Sequence, residues 1–247
     1  DETVPGTSAN PDYNQIPKDG EPAAIAAMIM TAIPLVQPDR AILLRRRLAK
    51  IHREALQDPM AAYEAMALGL PASDVSEPLA NAQALAAKGS WREATKFLQE
   101  ALSDTPPEGQ SPLLLELARI AETGLVDTEL AESAYRRVRM LNPQAIEALT
   151  FFTEWYVAQS DPRRAYAVCA QLHGQLEGQD TSEDRASLAR KMARIADQDL
   201  QSQEKAIEAW RRLLEDAPQD TEANEKLRTT YRTSERWAAL ADHLESW

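Results

Sequence analysis

The chain has 247 residues, with 42 alanines, 15 prolines, 8 glycines and one cysteine, and valine plus isoleucine reach only 17. Alanine is the best helix former and β-branched residues are what strands prefer, so a β-sandwich or barrel is excluded; one cysteine excludes a disulfide framework and a thiolate metal cluster within one chain. The 27 basic and 39 acidic residues leave a net charge of −12, a field that repels polyphosphate and anionic membrane and argues against nucleic acid as a partner.

Residues 1–20 (DETVPGTSANPDYNQIPKDG) hold three prolines, two glycines and no apolar periodicity, and read as a disordered or extended arm. Residues 21–38 read as an apolar helix that opens at Glu21-Pro22, since proline suits the first helical position. Such a helix must bury against something, either as a cap on the first repeat or as a docking segment. Residues 22–38 carry no charge, but Pro34 and Pro38 break the run and leave it too short to span a membrane. No basic segment precedes an apolar core with a small-residue cleavage site. The single cysteine favours the cytoplasm, with the periplasm as the alternative. Because the chain begins at Asp1 rather than Met, an upstream segment that was removed or left out is expected.

From Asp39 to Trp247 the sequence repeats. Gly89-Ser90-Trp91-Arg92-Glu93-Ala94, followed by Leu98, Ala101 and Pro106, defines a frame. The frame recurs at Ala131, Tyr135, Val138 and Pro143, at Ala206, Trp210, Leu213 and Pro218, and without the proline at Ala165, Cys169 and Leu172. The anchors Ala62, Ala94, Ala131, Ala165, Ala206 and Leu240 are spaced 32, 37, 34, 41 and 34. Such periods mean stacked supersecondary units. The two long spacings require extra residues near Gly124, near Asp199–Gln203, or between repeats at 173–182. A large–small step, Leu48-Ala49, Leu117-Ala118, Phe152-Thr153 and Met192-Ala193, marks the first helix of several pairs. Small residues there let antiparallel helices approach at the short end of the 8–10 Å range. Asp58-Pro59 and Asp161-Pro162 fit the turn between helices, where aspartate caps and proline starts the next helix.

On these residues the chain from 39 to 247 resembles the tetratricopeptide repeat family, of the bacterial type. The resemblance implies an all-α fold, a right-handed α-solenoid of about six helix pairs with an extended N-terminal arm. Departures occur at both ends. The first repeat ends in Gly69-Leu70-Pro71, and the last repeat is incomplete, stopping at Trp247 within its second helix. That stop implies a longer native chain or pairing of this end.

The residues that carry chemistry are sparse. His52, His173 and His243 show no metal-ligand spacing, and Cys169 occupies a core slot with no activating base in sequence. No phosphate loop or nucleophile elbow occurs. No catalytic residue, metal site or cofactor is assigned, and the chain reads as not an enzyme.

In the family, first helices line a concave groove that receives a peptide or helix. Carried onto this sequence, the groove positions are Arg46, Lys50 and Arg53 in the first repeat, Gln83 in the second and Arg119 in the third. Glu154 follows in the fourth, Arg190 and Arg194 in the fifth, and Arg232 in the sixth. Arg40 to Arg53 holds six basic residues, a docking patch for an acidic segment or a helix face paired with neighbouring acids. The clamp by which some family members hold a C-terminal carboxylate needs lysine and asparagine on successive first helices. Leu79 and Gln83 stand there in the second repeat, so chaperone-tail binding is not expected.

The sequence therefore reads as a non-enzymatic protein-interaction scaffold or adaptor, with a protein or peptide in its groove. The alternatives are a structural segment that self-associates through residues 21–36 or its C-terminal end, and an accessory or regulatory domain of a larger multi-repeat protein or enzyme complex.

Overall fold

A computed structural model describes residues 16–17, 20–67, 77–177 and 181–246. Most of the N-terminal arm, the Gly69-Leu70-Pro71 repeat end and Trp247 lie outside the described residues. Among the described residues every regular element is helical.

Helix α1 (Pro22–Ala32) has proline at its first position and Glu21 as its cap, accepting from the Ala24 amide at 2.8 Å. Six helix pairs follow. The first is α2 (Pro38–Lys50) with α3 (Pro59–Ala67), then α4 (Glu77–Ala86) with α5 (Trp91–Asp104), and α6 (Gln110–Arg119) with α7 (Thr128–Leu141). The rest are α8 (Ile146–Ala158) with α9 (Pro162–Gln175), α10 (Ser182–Arg194) with α11 (Gln203–Asp216), and α12 (Thr221–Thr233) with α13 (Trp237–Ser246). The chain is an α-helical solenoid.

The aspartate caps are where the sequence places them. Asp58 Oδ1 accepts from the Ala61 amide at 2.9 Å and Asp161 Oδ1 from the Arg164 amide at 3.1 Å. Asp127 and Asp220 do the same for α7 and α12. Each such cap satisfies amides that the helix itself leaves orphaned.

The six turns within pairs alternate between two forms. After α4, α8 and α12 a tight closure links residues five apart, as in Ser90 N–H to Leu85 O and Asp161 N–H to Tyr156 O. After α2, α6 and α10 the helix widens into a π turn (Ile51–Ala55, Ile120–Leu125, Ile195–Asp199). There the closing bond spans six residues, as in Asp127 N–H to Ala121 O and Ser202 N–H to Ala196 O. The widened turns at Gly124 and Asp199 hold extra residues within the two long spacings. Every turn has one left-handed residue: Gln57, Gly89, Val126, Ser160, Gln201 and Glu235. Only Gly89 adopts this without crowding its own Cβ.

The anchor positions are where helices meet. Ala62, Ala94, Ala131 and Ala165 are fully buried, and the large–small steps Leu117-Ala118, Phe152-Thr153 and Met192-Ala193 are nearly so. One core runs from Tyr63 through α4–α9, centred on Leu98, Leu114, Tyr135 and Phe152. A second joins α9 to α13 around Met192, Trp210 and Leu227. A third is confined to Ile16 and α1–α3, around Ile29, Leu48 and Met66.

The first pair departs from serial stacking. Helix α3 packs on the turn after α6, and α2 crosses to α8. Gly124 in that turn leaves room for a tryptophan, since a Cβ there would fall 2.5 Å from Trp91. The Trp91 indole lies against that backbone and meets Tyr63 of α3 edge-on, at 5.3 Å between ring centroids. Helix α1 covers the α2–α3 unit with Ile25 and Ile29, while Met28 and Met30 on its other side stay exposed.

Candidate functional site

Helix α2 lies against the inner face formed by the first helices α6, α8 and α10. Five of its 13 residues are basic, yet Arg40 and Arg45 are buried. Each of those three helices or its turn supplies a carboxylate to a different cation of α2. Arg46 donates to Glu122 Oε1 at 2.8 Å and to the Tyr135 hydroxyl at 3.1 Å. Lys50 stands 3.6 Å from Glu154 of α8, and Arg40 stands 3.8 Å from Asp184 of α10. Arg53 donates to the Glu122 carbonyl at 3.2 Å.

The Arg46 contact is the most enclosed, with side chains of Arg46 and Glu122 only 9% and 15% exposed. Burial opposes charge on the guanidinium, but Glu122 and Tyr135 outweigh it and raise the pKa of Arg46. The Tyr135 phenol is raised as well, first by burial and then by Glu122. Tyr135 closes the network by donating to Glu122 Oε2 at 3.0 Å. Arg45 differs. Burial lowers its pKa, the Glu147 carboxylate opposes this, and Arg119 adds to it.

Between α2 and the inner face lies a cavity of about 390 Å³. Arg46, Lys50, Arg53 and Glu154 line it together with Thr150, Thr153, Leu188 and Lys191. Its walls thus mix apolar surface with charges of both signs.

The other groove candidates from the sequence lie elsewhere. Gln83 and Arg119 both serve Glu116, a buried carboxylate that also accepts from Tyr63 Oη at 2.5 Å. That carboxylate ties α3, α4 and α6 together, and burial followed by Glu116 raises the Tyr63 phenol pKa. Arg190 and Arg194 turn towards α12, where Arg190 pairs with Asp220 and Arg194 with Glu222 at 3.0 Å. Arg232 is exposed on α12. So the nine positions form one cavity cluster, two structural clusters around buried or paired carboxylates, and one exposed side chain.

The basic stretch that reads as a docking patch for a foreign acidic segment is engaged by acids of its own chain. Sequence reading missed those acids, Glu122 and Asp184. Both carry a helical-spacing signal. Glu122 follows Arg119 by three residues, and Asp184, Ser187, Leu188 and Lys191 fall at i, i+3, i+4 and i+7.

The groups with the most intrinsic reactivity are held in packing. Burial pushes the Cys169 thiol up to about 11, far from a thiolate at neutral pH. His173 is buried against Asp216 at 2.8 Å, and Arg185 holds the same carboxylate at 3.1 Å. Among the described residues no helix is long and apolar enough to cross a membrane.

No protein-family model matches the chain, and no curated protein matches it. Solved structures do. A crystal structure of MamA is similar at 15% identity, covering 67% of this chain and 91% of that one, with a TM-score of 0.43. The MamA RS-1 ArsTM double mutant is similar at 18% identity, covering 68% and 88%, with a TM-score of 0.42.

Proposed function

We propose that the chain is a non-enzymatic protein-interaction module of the tetratricopeptide type, an adaptor or scaffold that receives a helix or peptide on the face of its first helices. The observation that carries this reading is that the face already holds a helix. Helix α2 sits there through Arg46–Glu122, Lys50–Glu154 and Arg40–Asp184, beside a 390 Å³ cavity. A surface that accepts one charged amphipathic helix has the shape and chemistry of helix-in-groove recognition.

Capture of partners by the tagged chain tests this. Glu154→Lys combined with Lys191→Glu changes the inner face, where both side chains line the cavity, whereas Lys96→Glu alters the outer surface of α5. Partners retained by wild type and Lys96→Glu, and lost from the double variant, are the expected result. Identical partner profiles in all three sink the assignment.

Self-association is the second reading, favoured by the exposed side of α1, where Met28 is 44% and Met30 50% accessible.

A further inference from the structure

The chemistry of the resident helix names the class of partner. We propose that the inner face of α6, α8 and α10 is a receptor for a basic amphipathic helix carrying arginine or lysine at i, i+6 and i+10, and that α2 is its resident, displaceable occupant. This rests on the interaction-module reading and adds to it the identity of the ligand class.

Charge complementarity argues for it first. Three successive first helices or their turns each present one carboxylate, Glu122, Glu154 and Asp184, to a different cation of α2. Those cations, Arg40, Arg46 and Lys50, fall at i, i+6 and i+10 and lie within about a third of the helix circumference. A helix that takes the place of α2 desolvates these carboxylates again, and a covered carboxylate without a cation is costly. A replacement must therefore restore cations at the same spacing. An acidic or purely apolar helix cannot do so.

Imperfect fit argues second, and it is why the occupant is displaceable. A cavity of about 390 Å³ remains between α2 and the face. Arg45 Nε is buried with no hydrogen-bond partner among the described residues. The Lys50–Glu154 pair is half exposed on both sides, at 50% and 55%. A helix with larger apolar side chains beside the same cations gains packing against Leu188 that α2 leaves unused.

Such a site obeys competition. A foreign helix binds only the fraction of molecules whose face is free, so its apparent dissociation constant is the intrinsic one divided by that fraction. Loosening α2 must tighten binding in trans.

The test uses a fluorescein-labelled peptide of residues 36–57, titrated with the full chain and read by anisotropy at low salt. Wild type is compared with Lys50→Glu, which sets two carboxylates against each other at Glu154 and loosens α2. Because Lys50 is half exposed, its substitution spares the core. Arg53→Gln is the second loosened variant should the melting temperature of the first fall. The expected result is binding about tenfold tighter to the loosened chain, lost again when Glu122→Gln is added and weakened by 0.5 M salt. Equal affinity for wild type and both loosened chains, or no saturable binding, overturns the proposal. Dimerisation of the loosened chain by light scattering in place of peptide binding also overturns it, because the occupant is then a second copy. If peptide binding fails while captured partners still depend on Glu154 and Lys191, the interaction module stands and only the basic-helix class is removed.

Discussion

At the residue scale, the alanines do two different things. Many only favour helix, but Ala94 and Ala165 have no accessible surface and sit where two helices approach. An arginine at either position must both overpack the contact and bury an unpaired charge, each of which costs kilocalories. Ala87, at the exposed end of the second pair's first helix, has neither problem. Ala94→Arg and Ala165→Arg should therefore each destabilise by more than about 3 kcal/mol, and Ala87→Arg by less than about 0.5 kcal/mol. Urea unfolding followed by circular dichroism measures all three, and equal midpoints would show the repeat frame to be misplaced. Glycine at 124 is explained at this scale too, by the tryptophan that lies on its backbone.

At the element scale, the decisive object is α2. Its basic composition is legible in sequence, and so is its helical period. What it touches is not, because its partners Glu122, Glu154 and Asp184 lie 76, 104 and 144 residues from Arg46, Lys50 and Arg40. The Arg46–Glu122 pair is enclosed enough that removing one member leaves the other charge uncompensated. Arg46→Ala should cost about 3 kcal/mol and Glu122→Gln a similar amount, while the double substitution should cost clearly less than their sum. Additive costs in a double-mutant cycle would show that the pair is a surface contact without coupling. The π turns belong to this scale as well. They hold most of the extra residues of alternate repeats, which helps anchor spacings of 34 and 41 coexist in one stack.

At the scale of the whole molecule, three cores meet along one chain, and the small core of α1–α3 is the one folded against the flank of the others. Its outer surface bears Met28, Met30 and Leu35, all more than 40% exposed. Apolar surface of this kind marks contact sites when it is contiguous. If α1 is where copies meet, light scattering should show a concentration-dependent dimer that Met28→Lys with Met30→Lys returns to monomer. A monomer at every concentration in wild type removes the self-association reading.

By itself the sequence determined that this protein is helical, how many pairs it forms, where the turns fall and which alanines are core. Those properties follow from local propensity, capping and a repeat period, all of which act over a few tens of residues or less. Only the tertiary structure decided that the first pair leaves the serial order, that α2 covers the inner face, and that Arg46 is a buried structural cation rather than a free hand for a partner. Gln83 and Arg119 were likewise assigned to a buried carboxylate, and Arg190 and Arg194 to α12. The reason is physical. A helix shows its amphipathic face in its own spacing, but a charged face is satisfied equally well by water, by another protein or by distant acids of the same chain. Which of these wins depends on how the pairs bring Glu122, Glu154 and Asp184 together, and no local pattern encodes that.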